Sequence, residues 1–127
     1  MPDKERAKSL AKLSRLRHNK ISSFDIETET SLIVESYYEI IKELITALLF
    51  ADGYKTLSHK DLINYLNENY NDFFNAEKIY ILDDLRKRRN KIVYYGIFLS
   101  SDYLKRNEKT FDKIVDILFE LIDGKIE

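Results

Sequence analysis

Cysteine and tryptophan are both missing from this 127-residue chain, which has only three glycines, one proline and two histidines. Without cysteine there can be no disulfide and no thiolate metal site, and two histidines in unrelated contexts speak against a zinc cluster. Three isolated glycines cannot build a glycine-rich phosphate loop. We expect no metal and no cofactor. Long hydrophobic runs are missing too. The first residues carry charge but not the apolar core of a signal peptide, and the longest charge-free apolar stretches, such as 44–51, are far too short to cross a bilayer. The expectation is a soluble, cytoplasmic protein with no membrane partner. The scarcity of helix breakers, with the proline at position 2, points to an all-α chain rich in leucine, isoleucine, lysine and glutamate.

What is present fits one domain spanning residues 1–127, with 44% apolar and 34% charged residues, enough to bury a core without staples. The net charge of −1 hides an uneven distribution. Residues 1–20 hold seven Lys/Arg against two acids, or +5, which leaves fourteen against twenty, or −6, for the rest. A second basic block, RKRRNK at 86–91, stands inside that acidic remainder. Two basic patches on a near-neutral protein are compatible with nucleic acid and equally with solvated helix faces.

Periodicity divides the chain into helices. A first helix over roughly residues 3–21 places Ala7, Leu10, Leu13 and Leu16 or Arg17 at core spacing, with Lys4, Lys8, Lys12 and Arg15 on an exposed basic face. Residues 1–24 thus form a basic helix and connector, and 28–123 the core bundle. After a polar connector, a second helix runs to about Asp52, stopped by Gly53, and it gathers Glu35, Glu39, Lys42, Glu43 and Thr46 in one narrow sector. The rest of its surface is apolar, so it is expected to be central. Ser58 and Asp61 have capping-box spacing for a short helix over 59–69. Asn64, Asn67, Asn69, Asn71 and Asn75 suit a loop and the cap of a fourth helix over 76–95, which Gly96 ends or bends. The β-forming run 92–99 is a local rival, though a lone strand has nothing to pair with. A last helix over 102–123, closed by Gly124, carries Phe111, Ile114, Val115, Leu118, Phe119 and Ile122.

At about 100° per residue, Ile79, Ile81, Leu82, Leu85, Ile92 and Val93 share one face of the fourth helix, and Arg89 projects from near its middle. An unpaired cation there would be costly, so Arg89 needs a carboxylate, a ligand phosphate or a partner subunit. Glu39 and Glu43 are the carboxylates expected to meet it. Asn90, Arg86, Asp83 and Tyr94 lie along one edge of the same face. Tyr94 suits an acid/base group, a base-stacking platform or a dimer seam; Arg86, Lys87, Arg88 and Lys91 suit RNA contacts or a solvated face. His59 is the one histidine placed to act as a base, otherwise an exposed neighbour of the capping box, and His18 is expected on the surface. Tyr37, Tyr38, Tyr80, Tyr94, Tyr95 and Tyr103 read as core aromatics first and stacking surfaces second.

The run LRKRRNKIVYYG at 85–96, together with SYY at 36–38, LLFADG at 48–53 and SHKDLI at 58–63, resembles small prokaryotic HEPN domains of the kind paired with minimal nucleotidyltransferases. The resemblance covers about residues 30–123. It implies a four- or five-helix up-down bundle, a homodimer joined through the motif helices, and metal-independent endoribonuclease chemistry of a toxin-antitoxin system. There an arginine stabilises charge on the phosphate while a motif histidine takes the proton of a ribose 2′-hydroxyl. Arg89 matches the arginine and Asn90 the polar residue after it. Tyr94 stands where the histidine belongs, and a phenol with a reference pKa near 10 is a poor base at neutral pH.

The function expected from these residues is binding of RNA or a partner protein with ribonuclease activity weakened or lost. Its site comprises Arg89, Asn90 and Tyr94, with Arg86, Arg88 and Lys91 as phosphate contacts and Glu39, Glu43 and His59 in support. The partners are a second copy, RNA and a minimal nucleotidyltransferase. The alternatives are an active endoribonuclease using Arg89 with Tyr94 or His59, and a purely structural dimerisation module.

Overall fold

A helix whose polar side chains fall in one narrow stripe must bury nearly everything else, and α2, Thr30–Ala51, does so. Ile33, Val34, Tyr37, Tyr38, Ile40, Ile41, Leu44, Ile45, Leu48 and Leu49 are all buried along it. The other helices of this computed structural model are α1 (Lys4–Lys20), α3 (His59–Asn69), α4 (Ala76–Tyr95) and α5 (Ser101–Ile126), with a 3-10 turn at Ile21–Ser23. The structure describes residues 1–55 and 57–127, without the side chain of His59. The chain is an all-α helical bundle, and no strand occurs among the described residues.

Helix directions follow from the contacts at their ends. The Asp3 amide at the start of α1 donates to the Phe50 carbonyl at the end of α2, 2.9 Å away, so these helices run antiparallel. Ser31, at the start of α2, bonds the backbone of the segment that follows α4, which makes α4 antiparallel to α2 as well. Lys125 near the end of α5 pairs with Asp52 at the end of α2, so these two run parallel. α1 and α5 pack on each other and on α2, and α3 and α4 do likewise, so the two pairs are joined chiefly through α2. Leu82 and Leu85 of α4 and the Phe111, Ile114, Val115, Leu118 and Ile122 face of α5 complete the core. Removing one of these, as in Leu85→Ala, would cost about 2–5 kcal/mol.

Local chemistry explains the boundaries. Asp3, Ser58, Asn75 and Ser100 each accept a backbone N–H of the first turn of their helix, satisfying donors that would otherwise be orphaned. Gly96 caps α4 with φ 62°, the left-handed conformation that favours glycine. Gly53 has φ 94°, a conformation L side chains rarely adopt, so the turn after α2 favours glycine.

Three expectations need correction. Gly124 does not close the last helix, which continues to Ile126 because Lys125 is held by Asp52 and Ile126 packs against the core. Leu13 and Leu16 are exposed, and the buried face of α1 is the small-residue row Ala7, Ala11 and Ser14, which lets the backbone lie close to α2. Asn64, Asn67 and Asn69 lie within α3, leaving Asn75 as the cap of α4.

Candidate functional site

Arg89 follows Leu82 and Leu85 on the inward face of α4 and therefore points at α2, with its side chain only 14% exposed. Its Nη2 donates to Glu39 Oε1 at 3.1 Å, and Nη1 lies 3.4 Å from the Asn90 side-chain oxygen. The guanidinium sits 5.3 Å from the centre of the Tyr38 ring. The remaining donor, Nε, is buried with no acceptor. Such a group is uncommon in a folded interior.

Glu39 is shared. Its second oxygen takes Lys42 Nζ at 2.9 Å, so one carboxylate serves two cations. Burial alone would raise its pKa; Lys42 and Arg89 more than offset this and hold it below the usual glutamate value. Burial also pushes the Tyr38 phenol up to about 12, although Arg89 and Arg86 pull the other way. Glu43, one turn on, does not meet Arg89. It pairs instead with Arg17 of α1, Oε1 to Nε 2.6 Å, a close ionic approach without hydrogen-bond alignment. Burial, reinforced by the charge of Glu39, raises Glu43 above its ordinary value despite Arg17.

The basic block is largely occupied by acids one turn back. Arg86 reaches Asp83 at 2.9 Å and Lys87 reaches the other oxygen of Asp83 at 3.2 Å. Burial would raise Asp83, but these two cations hold it below the usual aspartate value. Arg88 bonds Asp84 at 2.8 Å and covers the Tyr103 ring at 4.1 Å. Lys91 is exposed. Asn90 borders the guanidinium, whereas Tyr94 is 69% exposed and, among the described residues, no hydrogen bond joins it to Arg89 or Asn90. The structure thus brings Arg89, Asn90 and Glu39 together and leaves Tyr94 outside. The expected role of His59 falls outside the described residues.

Sequence reasoning missed the α1 side of this site. Glu39 lines a cleft of about 280 Å³ with Arg17, Lys20, Leu32, Glu35 and Ser36, so the basic first helix lends two cations to the same region. Only the excess of lysine and arginine in residues 1–20 hinted at this. It also missed a cleft of about 350 Å³ between α1, α2 and α5, lined by His18, Tyr37, Glu108 and Asp112 over an apolar floor. There Asp112 Oδ1 accepts from the Tyr37 hydroxyl at 2.7 Å and lies 3.1 Å from His18 Nε2. Burial, helped by the Asp112 bond, raises the Tyr37 phenol, and burial beside Asp112 raises Glu108. These contacts span 94 and 75 positions of sequence, beyond any local pattern. Of the six tyrosines read as core aromatics, Tyr37, Tyr38 and Tyr103 are buried, while Tyr80, Tyr94 and Tyr95 are exposed.

Among the described residues no group of three His, Cys, Asp or Glu side chains is placed to hold a metal ion, and no helix is long and apolar enough to cross a membrane. In comparisons with family models, curated proteins and solved structures, the chain matches none.

Proposed function

We propose that this protein is a HEPN-like RNA-binding module in which Arg89 receives a backbone phosphate and in which cleavage is weak or lost. One observation carries the reading: a guanidinium on the inward face of α4, whose carboxylate partner Glu39 is shared with Lys42, keeps a buried N–H with no acceptor. A phosphate oxygen is the acceptor such a donor fits best. In the adjoining cleft Lys20 adds a cation, while Arg17 is held by Glu43, and Glu35 and Glu39 balance the charge. Ribose-directed cleavage additionally needs a base beside the 2′-hydroxyl, and Tyr94 is exposed, joined to neither Arg89 nor Asn90 by a hydrogen bond among the described residues, and a phenol. Binding therefore outlasts chemistry, since general-base catalysis contributes about 10²–10⁴-fold.

Dimerisation belongs to the same reading. Leu32 lines the cleft beside Glu39, and Leu13 and Leu16 are exposed on the helix that carries Arg17, an aliphatic edge suited to a second copy. A monomer mass by light scattering at micromolar concentration would remove that part. A minimal nucleotidyltransferase as protein partner rests on the sequence resemblance alone, and co-expression with purification would test it.

The deciding experiment measures binding and cleavage of labelled single-stranded RNA by nuclease-free protein. We expect salt-sensitive binding, abolished in Arg89→Ala, with no appreciable cleavage. Arg89-dependent cutting by the unmodified protein would replace this reading with an active endoribonuclease; no binding by any variant would make Arg89 structural.

A further inference from the structure

The cleft of about 350 Å³ between α1, α2 and α5 shares no residue with the contacts of Arg89 and takes no part in the phosphate reading. Its floor and its wall differ. Ile21, Phe24 and Ile26 are partly buried against the core and, with Ile33 beneath, give the cleft an apolar floor. The polar wall is built by α5. Glu108 and Asp112 are four residues apart and therefore on the same face of that helix. Asp112 is held from both neighbouring helices: its Oδ1 accepts from the Tyr37 hydroxyl of α2 at 2.7 Å and lies 3.1 Å from His18 Nε2 of α1. Among the described residues its Oδ2 has no hydrogen bond, and Glu108 has neither a hydrogen bond nor an ion pair.

The charge in the cleft is one-sided. His18 is the one lining group able to carry a positive charge, and it faces two carboxylates. The cations nearby are committed elsewhere: Arg15 to Asp123, Arg17 to Glu43 and Lys105 to Glu27, while Lys20 lines the neighbouring cleft with Glu35 and Glu39. Lys109 and Lys113 follow the two acids along α5 but are exposed, and among the described residues they pair with neither. Burial, and after it the charge of Asp112, raises Glu108 above its ordinary value, with no cation opposing them. Two carboxylates in this state beside an apolar floor complement a cation with an apolar body. A metal ion fits poorly, since no three His, Cys, Asp or Glu side chains among the described residues are placed to hold one. An ammonium has three donors and no acceptor, enough to serve both carboxylates at once. A largely apolar cleft of this volume with a few convergent polar groups has the form of a small-molecule site.

We propose that this cleft binds a small organic amine, its ammonium held between Glu108 and Asp112 and its apolar body lying on Phe24, Ile26 and Ile33. The site is separate from Arg89, so either reading can fail without the other.

Calorimetric titration of the full chain tests this with phenethylamine and hexylamine, with their uncharged counterparts phenethyl alcohol and hexanol, and with ethylamine, which has the charge without the body. Phenethylamine and hexylamine should bind saturably and at least about tenfold more tightly than the alcohols and ethylamine. Glu108→Gln should weaken both by at least about fivefold. Glu108→Lys, which sets an ammonium of the chain's own in the cleft, should abolish binding. Glu120→Gln, at an exposed acid elsewhere on α5, should change nothing. Because Glu108 makes no bond within the fold, the melting temperature of Glu108→Gln should hold, and its RNA affinity should equal that of the wild type. No saturable binding of either amine, equal affinity for the amines and their alcohols, or equal weakening by Glu108→Gln and Glu120→Gln overturns the site.

Discussion

Asp52 and Arg89 occupy comparable positions, each a largely buried charge that ties α2 to other elements, yet they are finished differently. One Asp52 oxygen accepts from the hydroxyls of Tyr65 and Tyr70, and the other pairs with Lys125 of α5. Both oxygens are served. Arg89 uses two of its nitrogens on Glu39 and Asn90 and leaves the third idle, next to a carboxylate that already has a second cation. The first cluster closes one end of the bundle. The second holds the helices together through a cation that keeps one buried nitrogen without an acceptor, and that difference separates a finished tie from a candidate site.

The largest expected effect breaks the finished cluster. Asp52→Ala strands two phenols and an ammonium and frees the last turn of α5, and should cost about 3 kcal/mol in urea unfolding with RNA affinity unchanged. Its acid dependence has a definite sign. Burial would raise the Asp52 pKa, but Lys125 and the two tyrosines more than offset this and hold it below the ordinary aspartate value. A depressed folded-state pKa contributes stability that is fully present above the unfolded value of about 3.9 and is lost as pH falls through the folded one. The stability gap between wild type and Asp52→Asn should therefore shrink below about pH 4. A constant gap across that range would show that the carboxylate charge is not what the cluster uses.

Next in size is the contrast between neighbouring arginines. Arg89→Ala removes a largely buried cation, but Lys42 still holds Glu39, so the loss should be about 2 kcal/mol rather than the 3–5 of a pair left wholly uncompensated. Arg88 lies across Tyr103 and binds Asp84 one turn away with both side chains a third exposed, and Arg88→Ala should cost less than about 1 kcal/mol. Thermal unfolding of the two variants decides, and equal small losses would mean that Arg89 is no tie at all.

How far the sequence foretold these regions depends on the reach of the signals. The bounds of α3 and α4, and the need of Arg89 for a carboxylate from the Glu39 and Glu43 stripe, follow from 3.6-residue periodicity and from caps within four residues, whereas the choice of Glu39 over Glu43 does not. The inward face of α1 did not follow, because close approach to α2 selects Ala7, Ala11 and Ser14 over the larger Leu13 and Leu16, a choice set by the partner surface. Gly124 reads as a stop, yet the helix passes through it under contacts made by Lys125 and Ile126. The Asp52 and Asp112 clusters and the contribution of Arg17 to the cleft join residues distant in sequence. No local pattern encodes those meetings.

The smallest effect sharpens the comparison most. If Glu39 is a counter-ion standing in for an incoming phosphate, Glu39→Gln keeps a hydrogen-bond acceptor for Arg89 while removing the competing charge. RNA affinity should then rise about threefold to tenfold, equivalent to roughly 0.7–1.4 kcal/mol, with a modest fall in melting temperature. Lys42 and Arg89 hold Glu39 below its ordinary pKa, so the competing charge is fully present at neutral pH, and the gain should appear there without acidification. The matching change in the finished cluster, Asp52→Asn, should leave RNA affinity where it was. If Glu39→Gln instead weakens binding as Arg89→Ala does, the carboxylate aims the guanidinium rather than blocking it, and the idle Nε of Arg89 becomes a product of that aiming.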